Sequence, residues 1–200
     1  YLNLDYVYGT LSNSGGENPL DYPAFVKNPM EFMAVATNAQ TGEAVYLTKQ
    51  DVHQDDYGVL KASSAIPFVC KPYHIRGIDC YDGALSDTVP IQKAFDLGCD
   101  RVVLLLTKPL GVLRTSKTDN RLAKLIQKNY PVSAEQLRGR AERYNNGIAL
   151  AKQYASQGKL CIVAPDDTCG VDTLTKDRQA SHRLYEKGYA DGEKVRAFLA

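Results

Sequence analysis

The sequence predicts an α/β layer fold, in which helices pack against a sheet of mostly parallel strands. Two observations lead to this prediction. The second half of the 200-residue chain alternates helical and strand-like segments, an order that is typical of parallel sheets covered by helices. Its strand-like segments around Leu104 and Ile162 are also nearly continuous apolar runs, as expected of strands that are buried on both faces.

The first half of the chain is predicted to be less regular. Turn-forming residues and prolines interrupt residues 1–31, so we expect irregular structure there. Residues 32–47 predict a β-hairpin around a five-residue loop that contains Gly42. A short helix over residues 59–66 is expected to end before Pro67, because the residue preceding a proline disfavours helical backbone.

The later elements are marked more clearly. Residues 73–81 predict two short strands joined by a tight turn. In the longest helix apolar residues recur every three or four positions. We expect Ser133 and Gln136 to form its capping box, Gly158 to end it, and Asp177 to cap the last helix. The remaining predicted elements are helices 91–97, 120–130, 134–157 and 178–199 and strands 101–107 and 160–164.

The composition excludes several classes of protein. The formal net charge is +1 and the basic residues are not clustered, so a nucleic-acid partner is not predicted. No apolar run approaches the roughly 20 residues of a membrane-spanning helix. The five cysteines are irregularly spaced, which predicts neither a disulfide framework nor a zinc site. We interpret them as reduced, buried thiols of a cytoplasmic protein.

The pattern most indicative of function runs from Tyr81 to Pro90 and centres on Asp82, Gly83 and Ala84. Asp82 follows a strand-like segment, and the glycine after it allows a sharp turn and the close approach of another chain segment. A carboxylate held in this way can act as a general base. The alternative interpretation is a turn aspartate that binds its own backbone.

Two flanking motifs strengthen the catalytic interpretation. Ala62-Ser63-Ser64-Ala65-Ile66-Pro67 lies upstream, and Asp87-Thr88-Val89-Pro90 follows. Together with Asp82 these motifs resemble the patatin-like phospholipases over roughly residues 32–110, and the later residues resemble the C-terminal region of bacterial members. The resemblance implies a layered fold with a central, mostly parallel sheet flanked by helices. It also implies lipid acyl hydrolysis by a Ser–Asp dyad, without a metal or organic cofactor. Its implied site consists of the base Asp82, the loop residues Gly83 and Ala84, and the supporting residues Ser63, Ser64 and Pro67.

Two parts of the family pattern do not occur in this chain: the glycine-rich oxyanion stretch and the serine on a G-x-S-x-G elbow. We therefore expect a piece of a longer protein, incomplete at its N-terminus and inactive alone. Pairing with a missing segment or self-association would cover its sheet edges. Residues 1–110 are interpreted as the C-terminal part of the catalytic domain, and residues 111–200 as a helical extension packed on it.

The expected partner is a lipid or another fatty-acyl ester, and peripheral contact with a membrane is left open. The alternative function is a non-catalytic α/β interaction domain or a degenerate patatin-like domain. Ser63 and Ser64 are disfavoured as nucleophiles because they lie in a predicted helix without an elbow. Asp87 is expected to cap the helix that begins at Pro90.

For the other titratable residues the sequence predicts neither a catalytic nor a metal-binding role. His53 lies among Asp51, Asp55 and Asp56 at a spacing that fits no calcium or zinc site, so a solvated loop is expected. His74 and His182 have no recognisable partner in the sequence. Basic and acidic residues interleave along the longest helix, which predicts a solvent-facing surface; the basic ones are Arg138, Arg140, Arg143 and Lys152.

Overall fold

The computed structural model describes residues 3–172 and 175–200. The protein is mixed α/β, as predicted, with 45% helix and 16% strand. Its strands are β1 (Met33–Asn38), β2 (Ala44–Thr48), β3 (Tyr73–Ile75), β4 (Ile78–Asp82), β5 (Val102–Leu105) and β6 (Leu160–Val163). Its α-helices are α1 (Tyr22–Lys27), α2 (Gly58–Ser63), α3 (Ile91–Asp96), α4 (Lys117–Ile126), α5 (Pro131–Ser156), α6 (Arg178–Asp191) and α7 (Glu193–Leu199).

The chain divides into two compact units. The first unit comprises Tyr1–Thr88 and Thr115–Arg143, and the second comprises Val89–Arg114 and Tyr144–Ala200. The sequence analysis divides the chain after residue 110 into part of a catalytic domain and a helical extension. That functional division stays a prediction. Among the described residues, no helix combines the length and apolar character needed to cross a membrane.

The first unit contains a four-stranded sheet in the order β2-β1-β4-β3. The predicted hairpin is confirmed as β1 and β2, and β4 pairs with the other side of β1. The tight turn between β3 and β4 places Arg76 and Gly77 at positive φ. Every pairing in this sheet is antiparallel. The prediction of a mostly parallel sheet is therefore wrong for this unit, because short hairpin connections reverse the chain where parallel strands need a long crossover.

The second unit contains β5 and β6, which form the predicted parallel pair with Val102 opposite Leu160. The expected burial of both faces is not observed. The side chains of β5 are half-buried except that of Leu105, which is 68% exposed. The core of this unit forms instead around Ile91, Ala151 and Leu160.

Several helix boundaries differ from the prediction. Residues 1–31, which begin outside the described part, contain a π-helical turn (Tyr6–Leu11) and α1 as well as irregular structure. Helix α5 begins at Pro131, so Ser133 is inside it and is not a cap. Its buried hydroxyl donates to the carbonyl of Ala39 at 2.8 Å. The predicted last helix is two helices, α6 and α7, which meet at Gly192.

The predicted cap of the last helix is confirmed, because the side chain of Asp177 accepts from two backbone N–H groups of the first turn of α6. The five cysteines are free thiols, but only Cys80 is buried and Cys99 is exposed. The prediction of buried thiols is therefore right for Cys80 alone. Burial, together with the charge of Asp79, raises the pKa of Cys80 to about 11.

Candidate functional site

Asp82 is the last residue of β4, and neighbouring segments hold its backbone on both sides. Its N–H donates to the carbonyl of Ala65 at 2.9 Å. Its carbonyl accepts from the buried hydroxyl of Thr37, also at 2.9 Å. Within the sheet it pairs with Ala36 of β1. These contacts join β4 to the central strand and to the segment after α2, so they hold the backbone from which the Asp82 side chain projects.

The carboxylate of Asp82 also makes a local bond. Its Oδ1 accepts from the N–H of Ala84 at 2.7 Å and caps the 3-10 turn formed by Gly83–Leu85. This is the bond expected of a turn aspartate. A carboxylate has about four lone-pair sites on its two oxygens. The local bond therefore orients the group without exhausting its capacity to accept a proton or another hydrogen bond.

Gly83 is required by its surroundings, as the sequence predicts. The residue is buried, and a Cβ built on it would lie 2.3 Å from the carbonyl oxygen of Val35 in β1. That atom belongs to the backbone of the central strand, so it cannot move aside as a flexible side chain would. The absence of a side chain at Gly83 thus allows the loop after Asp82 to lie directly against β1.

A small recess is lined in part by Asp82. Its volume is about 10 Å³, close to the space that one water molecule needs. It contains three of the residues predicted for the site, Pro67, Asp82 and Ala84. The complete lining consists of Ile66, Pro67, Asp82, Ala84, Leu85 and Arg140.

The other predicted support residues lie outside this lining. Ser63 is the last residue of α2 and is half-buried. The hydroxyl of Ser64 shares a 3.0 Å hydrogen bond with the hydroxyl of Tyr8. The two serines therefore belong to the packing around α2, next to the segment that carries Ala65 and Pro67.

The loop that follows Asp82 is held by side-chain hydrogen bonds. The hydroxyls of Thr37 and Ser86 are 2.7 Å apart, and that of Thr88 donates to the carbonyl of Ala84 at 3.0 Å. The hydroxyl of Tyr46 donates to Oδ2 of Asp87 at 2.7 Å.

The predicted capping role of Asp87 is wrong. Pro90 occupies the N-cap position of α3, where no side chain provides a capping hydrogen bond. Three residues separate Asp87 from Ile91, the first residue of the helix, and its carboxylate instead binds Tyr46 across the sheet. A local motif thus predicted a local role for a residue whose partner is distant in the chain.

Two arginines of α5 approach the same loop, although the sequence predicts that they face solvent. The side chain of Arg140 is 19% exposed, and its Nη1 lies 3.5 Å from Oδ1 of the buried Asp119. Arg143 donates to the carbonyls of Leu85, at 2.6 Å, and of Gln136. Burial lowers the pKa of the Arg143 guanidinium below its usual range.

The periodicity of α5 could have indicated that these two arginines lie beside the protein core. Arg140 is three residues from the buried Leu137, and Arg143 is three residues farther on, so both flank the core-facing stripe. Gly139 adds to the signal, because a Cβ there would lie 2.5 Å from a terminal nitrogen of Arg143. A glycine inside an otherwise regular helix can indicate that a neighbouring side chain folds over it.

Both histidines predicted to lack partners have an acidic neighbour. Nδ1 of His74 is 2.9 Å from Asp79, and Nε2 of His182 is 3.6 Å from Glu186. Both pairs are exposed to solvent, so each contributes little to stability.

The aspartates around His53 also have defined partners. The N–H and hydroxyl of Ser14 donate to Asp55, and the guanidinium of Arg76 donates to Asp51 through two nitrogens. Within the described ranges, no group of three or more His, Cys, Asp or Glu side chains could hold a metal ion.

Two comparisons with known proteins give a match. Residues 130–197 match a family described as a domain of unknown function, DUF6363. The chain is also 27% identical over 112 residues to the uncharacterized protein YjjU of Escherichia coli (strain K12). That alignment covers 49% of this chain and 31% of YjjU, so the chain spans less than a third of the curated relative it matches. The DUF6363 match contains all of α5, including Arg140 and Arg143.

Proposed function

We propose that this chain forms the base-bearing part of a patatin-like serine acyl hydrolase that acts on phospholipids or other fatty-acyl esters. The observation that supports the proposal is the position of Asp82, a carboxylate held at the end of a strand beside a recess. Gly83 supports it further, because the motif residue after the aspartate has a steric role in this fold. Because the proposed substrates are lipids, peripheral contact with a membrane is part of the proposal.

In the proposed reaction, a serine from outside this chain attacks the acyl carbonyl carbon. Asp82 accepts the serine proton as the Oγ–C bond forms, and it then gives this proton to the alcohol oxygen of the substrate as the bond between the acyl carbon and that oxygen breaks and the alcohol leaves. An ordinary aspartate is a weak base, so we expect proton transfer to accompany the attack. Water then hydrolyses the acyl-enzyme with the same carboxylate as base.

The patatin-like architecture is part of the proposal as well. In the complete protein, β5 and β6 would belong to a larger parallel sheet. The incompletely buried side chains of β5, and those of Cys161 and Ile162 in β6, support this, because parallel strands are usually covered on both faces.

A second candidate function is a non-catalytic α/β domain, and the size of the recess favours it. A space for about one water molecule cannot accept an acyl chain. Under the first proposal, residues outside this chain complete the substrate site. Under the second, Asp82 is a structural turn residue that caps the 3-10 turn through its bond to Ala84.

Labelling with a fluorophosphonate distinguishes the two functions. The protein encoded by the complete gene is treated with the probe and analysed by intact mass, in parallel with ester hydrolysis assays. We expect one adduct and activity in the unmodified protein, and a loss of roughly 10²- to 10⁴-fold in Asp82→Asn, the usual contribution of a general base.

Asp79→Asn is the matched control, because Asp79 lies on the same strand and contacts the exposed His74. Its activity should stay within a few-fold of the unmodified protein. A protein without an adduct, or an Asp82→Asn variant of undiminished activity, would exclude Asp82 as the base and favour the non-catalytic function.

A further inference from the structure

We propose that the recess beside Asp82 holds the water molecule that hydrolyses the acyl-enzyme, and that Arg140 keeps this water in place. The proposal rests on the acyl-hydrolase function and adds to it. It assigns the second half-reaction to a defined location and to a residue of α5.

The recess meets the requirements for an ordered water. Its volume of about 10 Å³ is close to that of one water-sized probe. A held water also needs two to four polar partners. Asp82 can accept one of its hydrogens, and the guanidinium of Arg140 can donate to its oxygen. The other lining residues, Ile66, Pro67, Ala84 and Leu85, have apolar side chains.

Arg140 is suited to a fixed position beside this water. Asp119 of α4 is 4% exposed, and its carboxylate lies 3.5 Å from Nη1 of Arg140. A buried carboxylate needs a nearby cation, so the pair restrains the guanidinium. The group stays charged at any pH the enzyme meets and presents five donors. It can therefore bind Asp119 and donate to a water at the same time.

Arg143 has a different role on the same helix. It donates to the carbonyl of Leu85, which belongs to the 3-10 turn capped by Asp82. It therefore anchors the loop, while Arg140 lines the recess. Both arginines lie within the part of the chain that matches DUF6363, so that region contributes to the site around Asp82.

In the proposed deacylation step, water cleaves the ester between the serine and the acyl group. The water oxygen, which accepts from Arg140, attacks the acyl carbonyl carbon of the serine ester through its other lone pair. One water proton passes to Asp82. The tetrahedral intermediate then collapses with cleavage of the bond between the serine Oγ and the acyl carbon. Asp82 returns the proton to Oγ, the carboxylic acid leaves, and the serine is regenerated.

The test separates acylation from deacylation in the complete protein. With a p-nitrophenyl ester, release of the alcohol reports acylation through kcat/KM, and deacylation limits kcat. We expect Arg140→Met to lower kcat roughly 10- to 100-fold, a loss comparable to that of one donor or proton-transfer group. KM should fall in proportion, so that kcat/KM changes less than about threefold. The acyl adduct should accumulate and be visible by intact mass.

Three further variants serve as controls. Arg140→Lys keeps a charge near Asp119 and should recover part of kcat. Arg138→Met removes a neighbouring arginine that contacts Glu135 and Gln127 outside the recess, and it should leave both kinetic parameters unchanged. Ala84→Val fills the recess while leaving the ion pair intact, so it should reproduce the selective fall in kcat even if Arg140→Met fails to fold.

Two outcomes would overturn the assignment of the water. In the first, kcat and kcat/KM fall together in Arg140→Met and Ala84→Val, which indicates a general disturbance of the site. In the second, neither parameter changes. Failure of the underlying function looks different, because Asp82→Asn would then keep its kcat/KM or the unmodified protein would form no acyl adduct.

Discussion

The two units of this protein differ in how completely their strands are paired and buried. In the first unit β1 is paired on both sides, and residues such as Ala36, Leu47 and Val59 are completely shielded from solvent. Among the described residues of the second unit, β5 and β6 pair only with each other, and Leu105 stays 68% exposed. Strand β5 is more apolar than β1 but less buried, so in this comparison burial follows the number of paired neighbours and not the hydrophobicity of the strand.

The difference in strand pairing between the units also affects where a rigidly held functional site can form. Asp82 lies in the unit whose central strand is held on both edges, and the loop after it contacts that strand directly through Gly83. Side chains that must be held within a fraction of an ångström need rigid support. The first unit provides such support.

Truncation of a leucine in each unit should give the largest difference between the units in the free energy of unfolding. Leu47→Ala removes a fully buried side chain and should lower the free energy of unfolding by about 2–5 kcal/mol. Leu104→Ala removes a half-buried one and should cost about 1–2 kcal/mol, because less apolar area is lost. Urea unfolding followed by far-UV circular dichroism measures both. Equal losses would show that β5 is buried as deeply as β2.

Alanine substitution of one glycine in each unit tests two different constraints. Gly83→Ala places a Cβ against the backbone of Val35 and should destabilise the protein by about 1–3 kcal/mol. Gly158→Ala meets open space, but the residue has a φ of +71°, which should cost about 1 kcal/mol. Thermal unfolding compares the two. A Gly83→Ala variant as stable as the unmodified protein would mean that the loop can move away from β1.

Removal of one tyrosine hydroxyl in each unit should have smaller effects. Tyr46→Phe removes the 2.7 Å bond to Asp87 near the candidate site and should cost about 1 kcal/mol. Tyr154→Phe removes an exposed 3.2 Å bond to Gln92 and should change stability by less than about 0.5 kcal/mol. Urea titration of both variants provides the comparison. The reverse order of effects would contradict the assignment of the better supported network to the first unit.

The smallest difference between the two units is expected in the pH midpoint of acid unfolding. Desolvation acts to raise the pKa of Asp51, but the N–H of Thr48 and the guanidinium of Arg76 outweigh it and hold that pKa below 3.8. The resulting stability is present above pH 4 and is lost as the pH falls through the lowered pKa. Arg76→Met should therefore raise the midpoint of acid unfolding by roughly a few tenths of a pH unit.

The matching change in the second unit is Lys187→Met. Hydrogen bonds from Lys187 and from the N–H of Cys169 lower the pKa of Asp167 to about 2. The side chain of Asp167 is 62% exposed, so solvent screens the interaction and the acid midpoint should move less than in Arg76→Met. Tyrosine fluorescence during acid titration measures both midpoints. A larger shift for Lys187→Met would contradict the expected weakness of the exposed pair.

Local signals predicted most of the secondary structure and one part of the site. The two hairpins of the first unit and the Asp177 cap depend on residues close in sequence, and the strand character of β5 and β6 follows from their local apolar runs. The sequence also predicts that another segment lies close to Gly83, although the strand that does so comes from far along the chain. Errors occurred where an element joined a partner from far along the chain. Asp87 binds Tyr46 from 41 residues away, and Ser133 binds Ala39 from 94 residues away.

By itself the sequence determined where most of the helices and strands form, and it marked Asp82 as the residue of most interest. Periodicity, turn chemistry and capping act over a few residues, so they can be recognised without the fold. Only the tertiary structure decided that the main sheet is antiparallel and that Arg140 lines the recess beside Asp82. Arg140 comes from a helix that begins almost fifty residues after the aspartate, and no local pattern records which distant side chain will complete a site.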